Sequence, residues 1–258
     1  MKVQRSQTAA LMNGAIYHKI AGGTGAIIQA LAKHLGKGGI RLNSKVISIN
    51  FEKNSVRVEV EGGDVIEAEK VILTVPPKAV SNQILISPVP EFLSIMENTH
   101  TWMGESLKFT IQIDKDFWRN RNLSGFVFSN YGLIREMQDH TSPDGQHYGF
   151  VGFLNPIEGT TMEDRRKMVI AELSELLGIT EKAVLGYQDF EWFEKFSDGS
   201  GNYNSDLMPH QNNGHGVYLE AHFNHRLIFA GAETSPTNPG YMEGALESAM
   251  RAVRLIQR

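Results

Sequence analysis

The 258-residue sequence contains no cysteine. That absence excludes disulfide bonds, thiolate metal sites, a cysteine nucleophile and a thioether bond to a cofactor. The sequence also lacks an apolar run approaching the ~20 residues of a membrane-spanning helix, and its first residues form too weak an apolar block for a signal peptide. We therefore expect a cytoplasmic protein, because a cysteine-free composition fits a reducing compartment.

No part of the chain concentrates charge of one sign. The 25 basic and 29 acidic residues give a net charge of −4 and are spread along the sequence. Proteins that bind nucleic acid or a membrane surface usually carry a basic stripe or a basic amphipathic helix. We therefore expect a small-molecule partner, with neither nucleic acid nor a membrane as a partner. The length favours about two compact units or one large unit.

The first part of the chain alternates between a helical pattern and strand patterns. The stretch GGTGAIIQALAKHLG predicts a helix from near Thr24 to Gly36, because its apolar residues recur at helical spacing. Three runs rich in Val and Ile follow, IRLNSKVISIN, SVRVEVEG and EAEKVILTVP, and predict strands with a hairpin among them. The continuous apolar stretch VILTVPP predicts a strand that is buried on both faces and ends at Pro76 and Pro77.

The pattern changes from about residue 79 to 216, where proline-bounded loops separate strand-like runs such as SLKFTIQI and HYGFVGF. Within it, MEDRRKMVIAELSELLG predicts a helix that is capped by Thr161 with Asp164 and closed by Gly178. The chain then finishes with RLIFAGAET, a predicted buried strand and glycine turn, and with GYMEGALESAMRAVRLIQ, a predicted helix. We therefore expect an α/β portion, residues 1–78 and 217–258, interrupted by an α+β domain over residues 79–216.

The final strand, turn and helix carry the strongest sign of a ligand. Glycines 240 and 244 in the first helical turn favour a site where free backbone N–H groups accept an anion, although glycines that only permit close helix packing have the same pattern. Glu233 follows the strand directly, so its carboxylate either accepts hydrogen bonds from a ribose or ribitol chain or caps the turn. A histidine cluster precedes the strand, but its spacing differs from HExxH and we expect no metal there. Its members are His215, His222 and His225.

The stretch LIFAGAETSPTNPGYMEGALESAMRAV resembles the C-terminal flavin-binding segment of the flavin-containing amine oxidases, the family of monoamine and polyamine oxidases. Four further stretches agree with that family in order and spacing: the GGTG turn with its helix, VILTVPP, GESLKFTIQIDKDFW and EWFEKFSDGSGNY. The resemblance spans about residues 10–258. It implies a partial FAD-binding, Rossmann-like domain of α/β class, interrupted by a mixed-sheet α+β substrate domain with helices.

The resemblance also implies roles for individual side chains. Lys108 matches the lysine that lies behind the flavin and holds a water near its reactive nitrogen, although alternation in LKFTIQI also allows a lysine on a solvent face. Tyr203 and Tyr241 match the two aromatic residues that flank the substrate amine, with a one-residue insertion before Tyr203. Trp192 matches a tryptophan that packs near the flavin. Six further positions are implied to contact the cofactor: Val46, Gly231, Glu233, Gly240, Met242 and Gly244.

The sequence departs from this family at the dinucleotide end of the cofactor. It contains no strand followed by a GxGxxG turn, and its GGTG turn resembles the later turn that opens the helix returning to the flavin domain. Asn202 stands where covalent members carry a cysteine, which implies noncovalent FAD. The resemblance thus implies the C-terminal part of an FAD-dependent amine oxidase that transfers a hydride from an amine carbon to flavin.

On its own, such a part is expected to be inactive. It would hold FAD only with an N-terminal partner segment, and it would tend to self-associate. The sequence leaves open two other functions. One is a non-catalytic remnant that acts as a binding module, and the other is a related flavin desaturase or porphyrin-type oxidase.

Overall fold

The structure is a computed structural model that describes residues 20, 22–36, 38–142, 144–157, 159–192 and 207–257. The chain divides into two compact units. Unit 1 comprises Met1–Ile40 and Ser106–Trp192, and unit 2 comprises Arg41–Glu105 and Phe193–Arg258. These two units are defined by which residues contact one another. The predicted domain boundaries after residues 78 and 216 were drawn from the sequence pattern, and they stay a prediction.

Unit 1 contains the first described helix and a five-stranded antiparallel sheet. Helix α1 spans Gly25–Leu35, with Thr24 and Gly36 at its caps, which confirms the predicted bounds. The strands of the sheet lie in the order β10-β6-β9-β8-β7. Their bounds are Leu107–Ile113 for β6, Val127–Phe128 for β7, Ile134–Asp139 for β8, Tyr148–Leu154 for β9 and Val184–Glu191 for β10.

Strand β6 has one face in the core and one face outside it. Its burial alternates along LKFTIQI, with Leu107 and Phe109 buried and Lys108 and Thr110 exposed. This alternation follows from the two-residue period of a strand. Helix α4, Met162–Leu177, packs side chains that include Leu173 into the same core cluster as the inner face of β6.

Local signals at both ends of helix α4 define its length. Thr161 and Asp164 form a capping box, and Gly178 ends the helix in the left-handed region with φ 75°, so the predicted caps are confirmed.

A buried ion pair connects helix α4 to strand β10. The Arg165 guanidinium donates to both carboxylate oxygens of Asp189, at 2.8 and 2.9 Å.

Unit 2 begins with a four-stranded sheet in the order β3-β2-β1-β5. Strands β1 to β3 pair in antiparallel fashion, and β5 runs parallel to β1. Two short helices follow the first strands, α2 at Pro77–Gln83 and α3 at Leu93–Glu97. The strand bounds are Val46–Phe51 for β1, Val56–Val60 for β2, Val65–Ala68 for β3, Val71–Leu73 for β4 and Leu85–Ser87 for β5.

The third predicted strand of this region, EAEKVILTVP, is two strands. Its first half pairs with β2 as β3, whereas β4 pairs with the late strand β12, Leu227–Phe229. The two halves belong to different sheets, and the break falls at Glu69 and Lys70, which separate the two pairings. The expectation of burial on both faces of β4 does not hold either. Ile72 is 39% exposed, so one face of this strand is only partly covered.

The last sheet of unit 2 combines strands from the two chain segments that form this unit. Its order is β11-β12-β4, where β11 is Ala221–His222, and β12 runs parallel to β4. Helix α5, Met242–Ile256, has small buried residues that include Gly244, Ser248 and Ala252, and Ala252 packs in a cluster with Ile228 of β12. The opposite side of the helix carries an exposed apolar stripe. It consists of Met242, Leu246, Met250 and Val253.

No helix within the described ranges is both long and apolar enough to cross a membrane.

Candidate functional site

The carboxyl ends of β4 and β12 lie side by side in unit 2, because the two strands are parallel and paired in register. The turn after β12 crosses close to the end of β4. A Cβ at Gly231 would lie 3.0 Å from the Thr74 carbonyl oxygen, and Gly231 has φ 105°, which favours glycine. Its N–H donates to the Ser248 hydroxyl of helix α5 at 2.9 Å. In open α/β sheets, ligands bind beyond the carboxyl ends of such strands.

The start of helix α5 is open and uncapped. Tyr241 occupies the N-cap position and supplies no side-chain hydrogen bond to the helix. The backbone N–H groups of the first turn therefore have no acceptor from a cap, and they carry the partial positive charge of the helix end. Tyr241 is 57% exposed and Met242 is 60% exposed. This geometry suits the predicted acceptance of a negatively charged or carbonyl group, which stays a prediction.

Gly244 lets the first turn of α5 approach the loop before it. A Cβ on Gly244 would overlap the Asn238 carbonyl oxygen and would lie 2.9 Å from the Asn238 carbonyl carbon. Sequence reasoning missed Glu247, which anchors this loop. Its carboxylate accepts hydrogen bonds from Ser235 at 2.6 Å, Thr237 at 2.5 Å and Asn238 at 2.9 Å, and these bonds lower the pKa of Glu247.

Glu233 is buried at 8% exposure in the turn after β12. Burial raises the pKa of this carboxyl group, while hydrogen bonds with its own backbone and with the backbone of Trp102 act in the opposite direction. Those contacts correspond to the turn-capping role that the sequence left open. Its contact with a cofactor stays a prediction.

Three rings form a row beside the start of α5, and we call His210, Trp102 and Tyr241 the ring row. The Trp102 and His210 rings are stacked, with centroids 4.3 Å apart and planes at 19°. The Tyr241 ring lies 5.8 Å from Trp102 and is tilted by 39°. No sequence pattern pointed to Trp102 or His210, because the two residues meet only through the fold of unit 2.

His100 joins the segment before Trp102 to the segment around His210. Its Nδ1 accepts from the His210 backbone N–H at 3.3 Å, and its own backbone N–H donates to the Gln211 carbonyl at 2.9 Å. The Asn213 amide donates to the His100 carbonyl at 2.7 Å. Burial lowers the pKa of His100, and the neighbouring His210 and Lys78 lower it further. The ring is therefore neutral near neutral pH, with its proton on Nε2.

The predicted site residues of unit 1 lie on or beside the outer face of its sheet. Lys108 is exposed on β6, and its cross-strand partners are Phe153 on β9 and Phe190 on β10. The ammonium nitrogen lies 5.7 Å from the Phe153 ring centroid. Trp192 is 41% exposed and meets the Phe190 ring edge to face at 4.7 Å. Their grouping with the residues of unit 2 around one ligand stays a prediction.

One other predicted residue, Val46, lies in the core of unit 2, and two others lie in a part of the chain that the structure does not describe. Val46 pairs with Val60 in the first sheet and packs against the core of unit 2. Tyr203 and Asn202 lie outside the described residues.

The histidine cluster makes local contacts. The His215 ring accepts from the Val217 N–H at 3.2 Å, and the His222 Nε2 lies 2.7 Å from the Val217 carbonyl oxygen. Among the residues that the structure describes, no three His, Asp or Glu side chains are grouped as metal ligands.

Comparisons with known proteins agree on one family. A family model described as flavin containing amine oxidoreductase matches residues 4–257. The chain is 28% identical over 250 residues to the flavin-containing amine oxidase B of Cavia porcellus, a match that covers 94% of this chain and 47% of that protein. Its identity to the Bos taurus amine oxidase B is 29% over 252 residues, which cover 95% of this chain and 48% of the relative. The chain thus spans about half the length of these curated relatives.

Solved structures give the same fold. Putrescine oxidase, solved as the wild type bound to putrescine, superposes with a TM-score of 0.73 at 22% identity, over 92% of this chain and 53% of that structure. Cyclohexylamine oxidase from Brevibacterium oxydans IH-35A gives a TM-score of 0.71 at 20% identity, with the same coverage of 92% and 53%. At such identities the likeness establishes the fold alone, and it confirms the mixed α/β class expected from the sequence.

Proposed function

Because the chain belongs to the family of flavin-containing amine oxidoreductases, we propose that it forms the substrate-facing, C-terminal part of an FAD-dependent amine oxidase. The substrate is a small-molecule amine that loses a hydride from the carbon next to its nitrogen. The observation that carries this proposal is the open, uncapped start of helix α5 beside the carboxyl ends of β4 and β12, with Tyr241 exposed at that start. FAD, when bound, supplies the hydride acceptor.

The residues around the α5 start fit the flavin-ring end of FAD. The uncapped N–H groups at residues 242 and 243 suit a ring carbonyl or a negatively charged ring edge, since the helix end is positively polarised. Gly231, with φ 105°, and Gly240, with φ 82°, adopt the positive-φ conformations of the turns that border this start, which favour glycine. Since the chain has no cysteine, a thioether to the flavin cannot come from this sequence, and we propose noncovalent binding.

The adenine dinucleotide end of FAD needs residues that this sequence does not contain. The pyrophosphate of such a cofactor is held by the backbone of a GxGxxG turn at a helix start, and the sequence has no such motif. We propose that a polypeptide segment outside this sequence supplies it. This segment is the expected partner of the chain.

On the substrate side, Tyr241 presents an aromatic ring that is 57% exposed. Electron-rich rings attract and orient an amine nitrogen and exclude water from the adjoining carbon. We propose that Tyr203 supplies the second ring of this pair. Lys108 is proposed to hold a water near the reacting centre, and its two cross-strand neighbours are the aromatic residues Phe153 and Phe190.

The test is anaerobic mixing of amines with the flavin-loaded protein, obtained together with its dinucleotide-binding segment, while the visible flavin band is followed. We expect monoamines or diamines to bleach the band, and Lys108→Met to slow reduction or reoxidation without a change in unfolding midpoint. Lys115→Met is the matched control, because this lysine lies outside the proposed site. A bound flavin that no amine bleaches would favour a desaturase or porphyrin-type oxidase, and a complete protein that binds no flavin would favour a non-catalytic module.

A second experiment uses the 258-residue chain by itself. Each charge-assisted hydrogen bond to a pyrophosphate contributes ~1.5–3 kcal/mol, so loss of two of them weakens FAD binding about a hundredfold or more. We therefore expect the chain to purify colourless, to lack oxidase activity and to self-associate through the exposed stripe on α5. A stoichiometric flavin absorbance band, or a strictly monomeric chain, would contradict this expectation.

A further inference from the structure

We infer that Trp102 is a positioning residue for Tyr241, and that His210 supports Trp102 from its other face. This inference rests on the proposed function, in which the exposed Tyr241 ring presents the substrate amine. The observations that carry it are the ring row and the contact between Trp102 and the glycine before Tyr241.

On one side, Trp102 covers the peptide that leads into Tyr241. A Cβ at Gly240 would lie 2.6 Å from the Trp102 Cδ1, so only a glycine allows the indole to sit there. Gly240 also has φ 82°, a conformation that favours glycine for a second, independent reason. The Tyr241 ring has its own contact with the indole at 5.8 Å. Because Tyr241 is 57% exposed, few other neighbours restrict its ring.

On the other side, Trp102 is itself held firmly. His210 stacks on the indole at 4.3 Å, and its Nδ1 lies 3.1 Å from the Asn213 side-chain oxygen. His210 has φ 62°, a left-handed conformation that is uncommon for a residue with a side chain. The buried Glu233 carboxylate accepts a hydrogen bond from the Trp102 backbone. The indole is therefore a fixed surface against which the Tyr241 ring can rest.

A fixed Tyr241 ring matters for the reaction because the amine carbon must be aligned with the hydride acceptor. Misplacement of a substrate by about 1 Å can cost a rate factor of roughly 100. Trp102 acts through Tyr241 and not by contact with the amine. We therefore expect Trp102→Ala to slow amine-dependent flavin reduction about 10- to 100-fold, an effect that depends on the presence of the Tyr241 ring.

The kinetic test is a double-mutant cycle in the flavin-loaded protein, with Trp102→Ala, Tyr241→Leu and the combination of both. We expect Trp102→Ala to slow reduction in the Tyr241 background and to have no further effect in the Tyr241→Leu background. Trp102→Phe, which keeps an aromatic surface, should restore most of the rate. Equal slowing in both backgrounds, or no slowing in either, would overturn the inference. Flavin content and unfolding midpoint are measured for every variant, so that a loss of fold is recognised.

A spectroscopic test in the 258-residue chain separates this inference from the proposed function. We expect nuclear Overhauser cross-peaks between the Trp102 indole and the Tyr241 ring, and their weakening in His210→Ala. Absent cross-peaks would contradict the positioning of Tyr241 and leave amine oxidation untouched. Cross-peaks in a protein whose flavin is not reduced by amines would support the positioning and contradict the proposed function.

Discussion

Replacement of Gly244 by alanine tests how closely helix α5 approaches the loop that precedes it. In a helix with open surroundings, Gly→Ala stabilises by roughly 0.5–1 kcal/mol, because alanine loses less backbone entropy. At Gly244 the new Cβ would overlap the Asn238 carbonyl oxygen and come within 3.0 Å of the Ser235 Cβ. Both neighbours are held in place by Glu247, so the loop cannot move away freely. Overpacking of this kind costs about 1–3 kcal/mol.

The two effects have opposite signs, and the overlap outweighs the helix propensity. We expect Gly244→Ala to lower the free energy of unfolding by up to about 2 kcal/mol, measured by urea denaturation followed by circular dichroism. The control is Gly25→Ala, at the first residue of helix α1, where a Cβ meets nothing within 4 Å among the described residues. That variant should be neutral or stabilised. If Gly244→Ala is as stable as Gly25→Ala, the close approach of α5 to its loop is refuted.

Two further predictions concern charged groups. Arg165→Met leaves the Asp189 carboxylate, 2% exposed, without its bidentate partner. We expect a loss of about 3–5 kcal/mol in the free energy of unfolding, against about 0–1 kcal/mol for the exposed ion pair removed by Lys167→Met. The lowered pKa of His100 means that the unfolded chain binds its proton more readily, so stability should rise with pH through the window that ends at the ordinary value of 6.5. In urea titrations at several pH values, His100→Asn should flatten that rise, and an unchanged slope would contradict a lowered pKa of His100 in the folded protein.

The sequence predicted best those elements whose ends or buried faces are determined by residues close together in the chain. The capping box of Thr161 with Asp164, and the left-handed Gly178, are local signals, and helix α4 follows both of them. The alternation in LKFTIQI likewise fixed which residues of β6 face the core. Within this pattern the exposure of Lys108 was one of the two stated alternatives.

The features that sequence missed depend on residues far apart along the chain. His210 lies in a turn that contains left-handed residues, and this turn brings it to Trp102. Because histidine at φ 62° is uncommon, the sequence has no recognisable motif that predicts the turn. Nothing in the sequence distinguishes Glu247 from the other acidic residues of predicted helices. Only the fold brings its carboxylate to three donors of the loop. The break between β3 and β4 was hidden because Val71 continues the apolar pattern into a different sheet.

The pairing of β12 with β4 has a consequence for the order in which the chain folds. Leu227 pairs with Val71, so the two partners are separated by the entire sheet of unit 1 along the sequence. Closing so long a loop costs conformational entropy before the strand contacts can offset that cost, so long-range pairings are slow to form. The sheet of unit 1 draws on one continuous stretch and can assemble while the ribosome is still adding residues. The last sheet of unit 2 must wait for the final strand, so pulse-labelling hydrogen exchange should protect Phe109 before Phe229.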